Sequence, residues 1–135
     1  MRVLKVRGFA RFQRKEGMAD AMLCRAVRDA AAGLVDADLG NGLIKQRVAR
    51  PGQGKRGSYR TIIAYRARDR AVFLFGFAKN VKADLAPDEL RDLIRVGATW
   101  LDATNDAIEV AIADEILTEI HCEEEEADDE DEIQA

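Results

Sequence analysis

Between Leu43 and Ala78 the chain reads as three strand-like runs joined by short breaks, which limits the fold more than any other stretch. Leu43 to Ala49 alternates, and Arg50-Pro51-Gly52-Gln53-Gly54 interrupts it. Ser58 to Ala67 and Ala71 to Ala78 are rich in β-branched and aromatic residues, with Asp69 in the turn between them. Runs of this length and composition, separated by turn residues, predict a three-stranded antiparallel meander. Side chains alternate faces with a period of two. One face of Tyr59 to Arg66 therefore carries Tyr59, Thr61, Ile63 and Tyr65, and the other Arg60, Ile62, Ala64 and Arg66. Neither face is purely apolar, so the expectation is a sheet that buries its middle on one side and exposes cations near the strand ends. On the next run Phe73, Phe75 and Phe77 are expected on one face and Val72 and Leu74 on the other, the pattern of a strand packed on both sides.

The same stretch holds the chain's unusual charge. From Leu43 to Lys82 eleven cations face a single acid, Asp69, for a net +10, whereas the whole chain is −4. The opposite excess lies at the end: nine acids from Glu123 to Glu132, with no Lys or Arg among residues 121–135. Setting those nine aside leaves the remainder at −4 + 9 = +5. Such a block self-repels and cannot bury apolar surface, so residues 121–135 are expected to form a disordered acidic tail behind a single domain, 1–120. Sheet cations admit two readings. They can keep a strand surface soluble and blunt its edges, or they can converge on the phosphates of a nucleic acid.

The flanking segments supply helices. Residues 1–7 (MRVLKVR) suggest a short edge strand, and Phe9 and Phe12 lie one helical turn apart before Gly17. From Met18 to Leu34, Met22, Leu23, Ala26, Val27, Ala30 and Leu34 recur at three- and four-residue spacing. Val35 to Gly42 is a loop by composition, and its acids lack the count and spacing of a calcium loop. Pro87 opens a helix whose stripe is Leu90, Leu93, Ile94, Trp100 and Leu101, with Asp88 and Glu89 suited to its positive end. A further helix is expected from Thr104 to Leu117, capped by Thr104 or Asn105. No internal repeat is visible. Cys24 and Cys122 have neither a disulfide framework nor metal-ligand spacing and are read as reduced thiols. No apolar run approaches a membrane span or a signal peptide, so the expected compartment is the cytoplasm, with no membrane partner, no metal and no cofactor.

With these residues in place, the sequence resembles the RelE-type toxins of bacterial toxin–antitoxin modules, within the RelE/ParE superfamily. Three stretches carry the resemblance: FARFQRKEGM followed by LCRAV; LGNGLIKQRVARPGQGK leading into GSYR; and FLFGFAKN followed by the helix at Pro87. The resemblance implies an α+β fold, a small antiparallel sheet packed with two N-terminal helices and one or two C-terminal helices, and the element order matches it. It also implies a cognate antitoxin protein as partner, and a toxin that cuts messenger RNA on the ribosome using Lys and Arg of the sheet. Cleavage by a 2′-oxygen needs a base, positive charge on the phosphorane and an acid for the leaving oxygen. The single histidine, His121, excludes a two-histidine mechanism, whereas clustered cations can lower a lysine pKa by mutual repulsion.

By motif, the resemblance implies Lys55 of GQGK as base, with the adjoining Arg56 in the same basic loop, Arg60 as phosphate clamp and Lys79 as acid or second clamp; the other cations of the stretch, Lys45, Arg47, Arg50 and Lys82, together with Tyr59, complete the expected RNA-binding set. Tyr59 either stacks on a base or packs in the core. Val81 to Leu85 contains no tyrosine, where well-studied members carry an aromatic that orients the substrate base. Two other functions therefore stand beside the ribonuclease: an inhibitor of a protein target such as DNA gyrase, as in the ParE branch, and a nucleic-acid binding module without catalysis.

Overall fold

In the computed structural model, residues 1–50 and 54–123 are described, those at 50 and 54–56 for their backbone alone. The expected disordered tail and the Pro51-Gly52-Gln53 break lie outside these residues. The meander forms as β3 (Leu43–Arg50), β4 (Gly54–Arg66) and β5 (Arg70–Ala78). It is the centre of a larger, mostly antiparallel open sheet of six strands, ordered β2-β3-β4-β5-β1-β6. The molecule is α+β, with α1 (Arg7–Glu16) and α2 (Asp20–Ala31) on one face and α3 (Pro87–Asp102) and α4 (Asn105–Ala113) on the other.

Three strands depart from the sequence expectation. The stretch Ala37–Gly40, expected as loop, is β2, paired antiparallel with β3 through Ala37↔Lys45 and Asp38↔Ile44. The helix expected to reach Leu117 ends at Ala113, and Leu117–Ile120 forms β6. β1 (Arg2–Val6) is not an edge. It pairs parallel with β5 on one side and antiparallel with β6 on the other. Its cations are neutralised from far along the chain. Arg2 donates two hydrogen bonds to Glu119, each 2.9 Å, and meets Glu109 at 2.8 Å; Lys5 Nζ donates to Gln13 at 2.6 Å and pairs with Asp20 at 3.2 Å.

The sheet is buried on both faces rather than one. Phe9, Leu23, Val27, Ile44, Ile63 and Phe73 fill the layer under α1 and α2, whereas Leu4, Leu43, Ile62, Val72, Leu74 and Ile108 fill the layer under α3 and α4. The three phenylalanines of β5 do not share a face, contrary to expectation. Ile62 pairs with Phe75 but Ile63 with Phe73, so Leu74 is an extra residue in β5, a β-bulge that reverses the alternation. Phe73 stacks on Phe9 of α1, centroids 5.1 Å apart, while Phe75 and Phe77 lie together under α3. Each layer closes over a glycine. A Cβ at Gly76 would stand 2.5 Å from Phe12 Cε2, and one at Gly97 2.9 Å from Leu43 Cδ2, so α1 and α3 approach the sheet more closely than a side chain permits.

The cysteines are joined, not reduced: Cys24 of α2 and Cys122 form a disulfide with Cα atoms 5.6 Å apart. The reduced-thiol expectation fails because two cysteines 98 residues apart give no spacing signal, and only the fold brings them together. Some expected helical core positions are surface instead. Leu34 lies past the end of α2 and is 66% exposed, and Ile116, inside the helix expected from Thr104 to Leu117, lies beyond α4 and is exposed.

Candidate nucleic-acid interface

The cations of the sheet divide between its two ends. At the β4–β5 turn, Arg66 and Arg70 point into the C-terminus of α3. Arg70, 4% exposed, donates to the carbonyls of Trp100 (2.6 Å) and Ala103 (2.8 Å) and to Asn105 Oδ1 (3.1 Å); Arg66 donates to the carbonyl of Leu101 at 2.9 Å. A helix ends with unpaired carbonyls and partial negative charge. These two arginines satisfy both, so they belong to the fold.

The other end gathers the residues expected to bind RNA. β3 and β5 finish there and β4 begins, so Arg47 and Arg60 are direct cross-strand partners, and Tyr59 is opposite Ala78, one residue before Lys79. Lys45 shares the α3 face with Arg60: its Nζ lies 3.3 Å from Asp84, a carboxylate that also feels Arg60. Like charges directly opposed on a sheet repel. Here they are held by polar neighbours. Arg60 donates to Ser58 Oγ at 2.8 Å, and Arg47 meets Asp36 at 3.7 Å. Lys82 pairs with Glu89 at 2.8 Å. Lys79, exposed in the turn after β5, has no ion pair or side-chain hydrogen bond among the described residues.

Two carboxylates at this end are held below the usual range. The Leu85 backbone N–H and then Lys45 stabilise ionised Asp84, and Lys82 and then the Ala86 N–H stabilise ionised Glu89. Sequence reasoning missed this set of counter-ions, Asp36, Asp84 and Glu89, along with Ser58. The only signal was Glu89 in the first turn of α3, which also accepts the Ala86 N–H at 2.7 Å.

Tyr59 is not with these cations. It is 2% exposed on the opposite face, edge-on to Phe12, and its hydroxyl donates to Glu16 Oε1 at 3.0 Å. Of its two readings, core packing matches this position, and the ring offers no face to a base. The backbone of Lys55 and Arg56 runs in β4 and that of Arg50 in β3, but the side chains of all three lie outside the described residues. What remains is a surface of Lys45, Arg47, Arg60, Lys79 and Lys82, whose positive charge is partly masked by Asp36, Asp84 and Glu89. Among the described residues no group of three or more His, Cys, Asp or Glu stands where it could share a metal ion, and no helix is long and apolar enough to cross a membrane.

A family model described as the RelE toxin of the RelE/RelB toxin–antitoxin system matches residues 1–120. No curated protein matches the chain.

Proposed function

Since the chain belongs to the RelE toxin family of toxin–antitoxin systems, we propose that it is a metal-independent endoribonuclease that cuts messenger RNA on the ribosome and is held in check by a cognate antitoxin. The observation that carries this reading is the segregation of cations. Those that satisfy helix-end carbonyls cluster at the end of α3, while Arg60 and Lys79, which make no such bonds, lie with Lys45 toward the opposite end of the sheet.

In the proposed mechanism Lys55, assigned by its GQGK motif, takes the proton of the 2′-hydroxyl. Arg60 places its guanidinium on the phosphorane, where a bidentate planar donor matches two oxygens. Lys79, without an acid partner, protonates the leaving 5′-oxygen or neutralises it. Arg47, Lys45 and Lys82 hold flanking phosphates, and Arg50 and Arg56 are assigned the same role from their place in the sequence. Preorganised positive charge at the developing dianion lowers the barrier by several kcal/mol, about 3 for each well-placed donor. Base orientation has to come from the ribosome, because Tyr59 is buried and no tyrosine follows β5.

The test is translation of a defined message in purified components, with 5′ ends mapped. New ends that require ribosomes, and that disappear with Arg60→Gln or Lys79→Gln, are expected. An intact message with blocked DNA supercoiling would instead assign the chain to the gyrase-inhibiting class, and an intact message with retarded RNA to non-catalytic binding.

A further inference from the structure

We propose that the acidic segment Glu123–Glu132 docks on a cationic ridge of α1 formed by Arg11, Arg14 and Lys15. The proposal does not depend on whether the sheet cleaves RNA. The three residues stand three and four apart on the exposed side of α1, whose buried side is Phe9, Ala10 and Gln13. Several exposed cations elsewhere have acids, Arg25 with Asp29, Arg66 with Asp69 and Asp102, Arg95 with Asp92, while Arg68, Lys79 and Arg91 have none among the described residues but lie on separate segments. On α1 none of the three has an ion pair or side-chain hydrogen bond among the described residues. Like charges at these spacings repel along a helix. The helix dipole accounts for cations in the last turn at Arg14 and Lys15, but Arg11 lies in the middle of α1 and gains nothing from it. The ridge is therefore a surface that folding leaves uncompensated and that a polyanion would compensate.

The fold delivers one to it. Cys122 is tied to Cys24 of α2, and Asp20 at the start of α2 accepts a hydrogen bond at 2.7 Å from Gln13, the residue before Arg14. The Asp20 carboxyl, opposed by burial, is held below the usual range by Gln13 and Lys5 and least by His121. The root of the acidic segment is thus fixed at the junction of α1 and α2, and its first acid, Glu123, is exposed there. Ten residues from Glu123 to Glu132 span about 35 Å when extended, while Arg11 to Lys15 covers only about 6 Å of helix. A short tether that ends beside its target gives a high effective concentration. The sheet cations Lys45 and Arg60 lie across the sheet, on the α3 face.

Zero-length carbodiimide crosslinking of the full chain, read by mass spectrometry, tests this, because Lys15 is the ridge's one amine. At low salt Lys15 is expected to join carboxylates of residues 123–132. The product should vanish at high salt and fall roughly five- to tenfold in Arg11→Gln/Arg14→Gln, which removes two exposed ion contacts. Crosslinks from this segment to Lys79, Lys82 or Lys55 in place of Lys15, or none at low salt, would overturn the proposal.

Discussion

Replacing Arg70 with Met separates the cations that build the molecule from those that serve it. Arg70 is 4% exposed and gives three hydrogen bonds to the end of α3 and the start of α4, at 2.6, 2.8 and 3.1 Å. A hydrogen bond to a charged donor is worth roughly 1.5–3 kcal/mol, so three would suggest roughly 5–9 kcal/mol if each were simply lost. Two features reduce this. Arg70 Nε is buried with no partner, a desolvation cost that Met relieves, and Asn105 is exposed and can be rehydrated. The orphaned carbonyls of Trp100 and Ala103 cannot all recover, because Leu101 and Ile108 pack on either side of the α3–α4 junction. We expect a loss of about 3 kcal/mol. With an unfolding entropy near 2.1 cal/mol/K per residue over the folded body, Tm falls by about 12 °C. Differential scanning calorimetry and urea titration with circular dichroism measure both quantities. A change under 1 kcal/mol would refute the claim that this arginine is part of the fold, and with it the division of cations on which the functional reading rests.

Arg60→Gln and Lys79→Gln should each change stability by less than about 1 kcal/mol, since partly exposed ion contacts contribute little, while abolishing ribosome-dependent cleavage; a loss of cleavage accompanied by a fall in urea midpoint as large as that of Arg70→Met would count against a site role. Reducing the Cys24–Cys122 disulfide opens a loop of 98 residues, for which chain entropy sets an upper figure of about 4.7 kcal/mol and typical losses are about 2–4. Calorimetry with and without a thiol should show Tm drop by about 10 °C, and an unchanged Tm, or two alkylatable thiols in the untreated protein, would count against the bridge. Glu119, stabilised as a carboxylate by Arg2, and Asp20, where hydrogen bonds from Gln13 and Lys5 outweigh the opposing burial, both have folded pKa values below the ordinary ones. Their contribution is complete above the unfolded carboxylate pKa of about 4 and is lost as pH falls through the lower folded values. The urea midpoint should therefore fall below about pH 4, and Glu119→Gln should flatten that slope; an identical slope in the variant would reject the assignment.

Elements with enough length to show a period were legible in the sequence. The α2 stripe of Leu23, Ala26, Val27 and Ala30, the Pro87 start of α3, the Thr104 cap and the three meander strands all follow from local chemistry. β2 and β6 are four residues each, too short for alternation to register, and they exist because β3 and β1 offer edges to pair with. The run FLFGF looks uninterrupted, so nothing in it marks the bulge at Leu74, which becomes apparent only when Ile62 and Ile63 are paired with it. The candidate site was half legible: type and order of the cations were apparent. Which of them serve the fold was not, because Trp100, Leu101 and Asp84 sit far from their partners in sequence.

The place of β1 sets a timetable for biosynthesis. Of the strands in this sheet, β1 leaves the ribosome first, and it lies between β5 and β6, whose residues extend to Ile120. At about 5–20 residues per second, Arg2–Val6 waits on the order of ten seconds for its last neighbour. During that wait the meander can form from local pairs while β1 has both edges open, and Arg2 and Lys5 make it a poor template for other chains. Assembly of this fold then finishes only as synthesis of the folded body does.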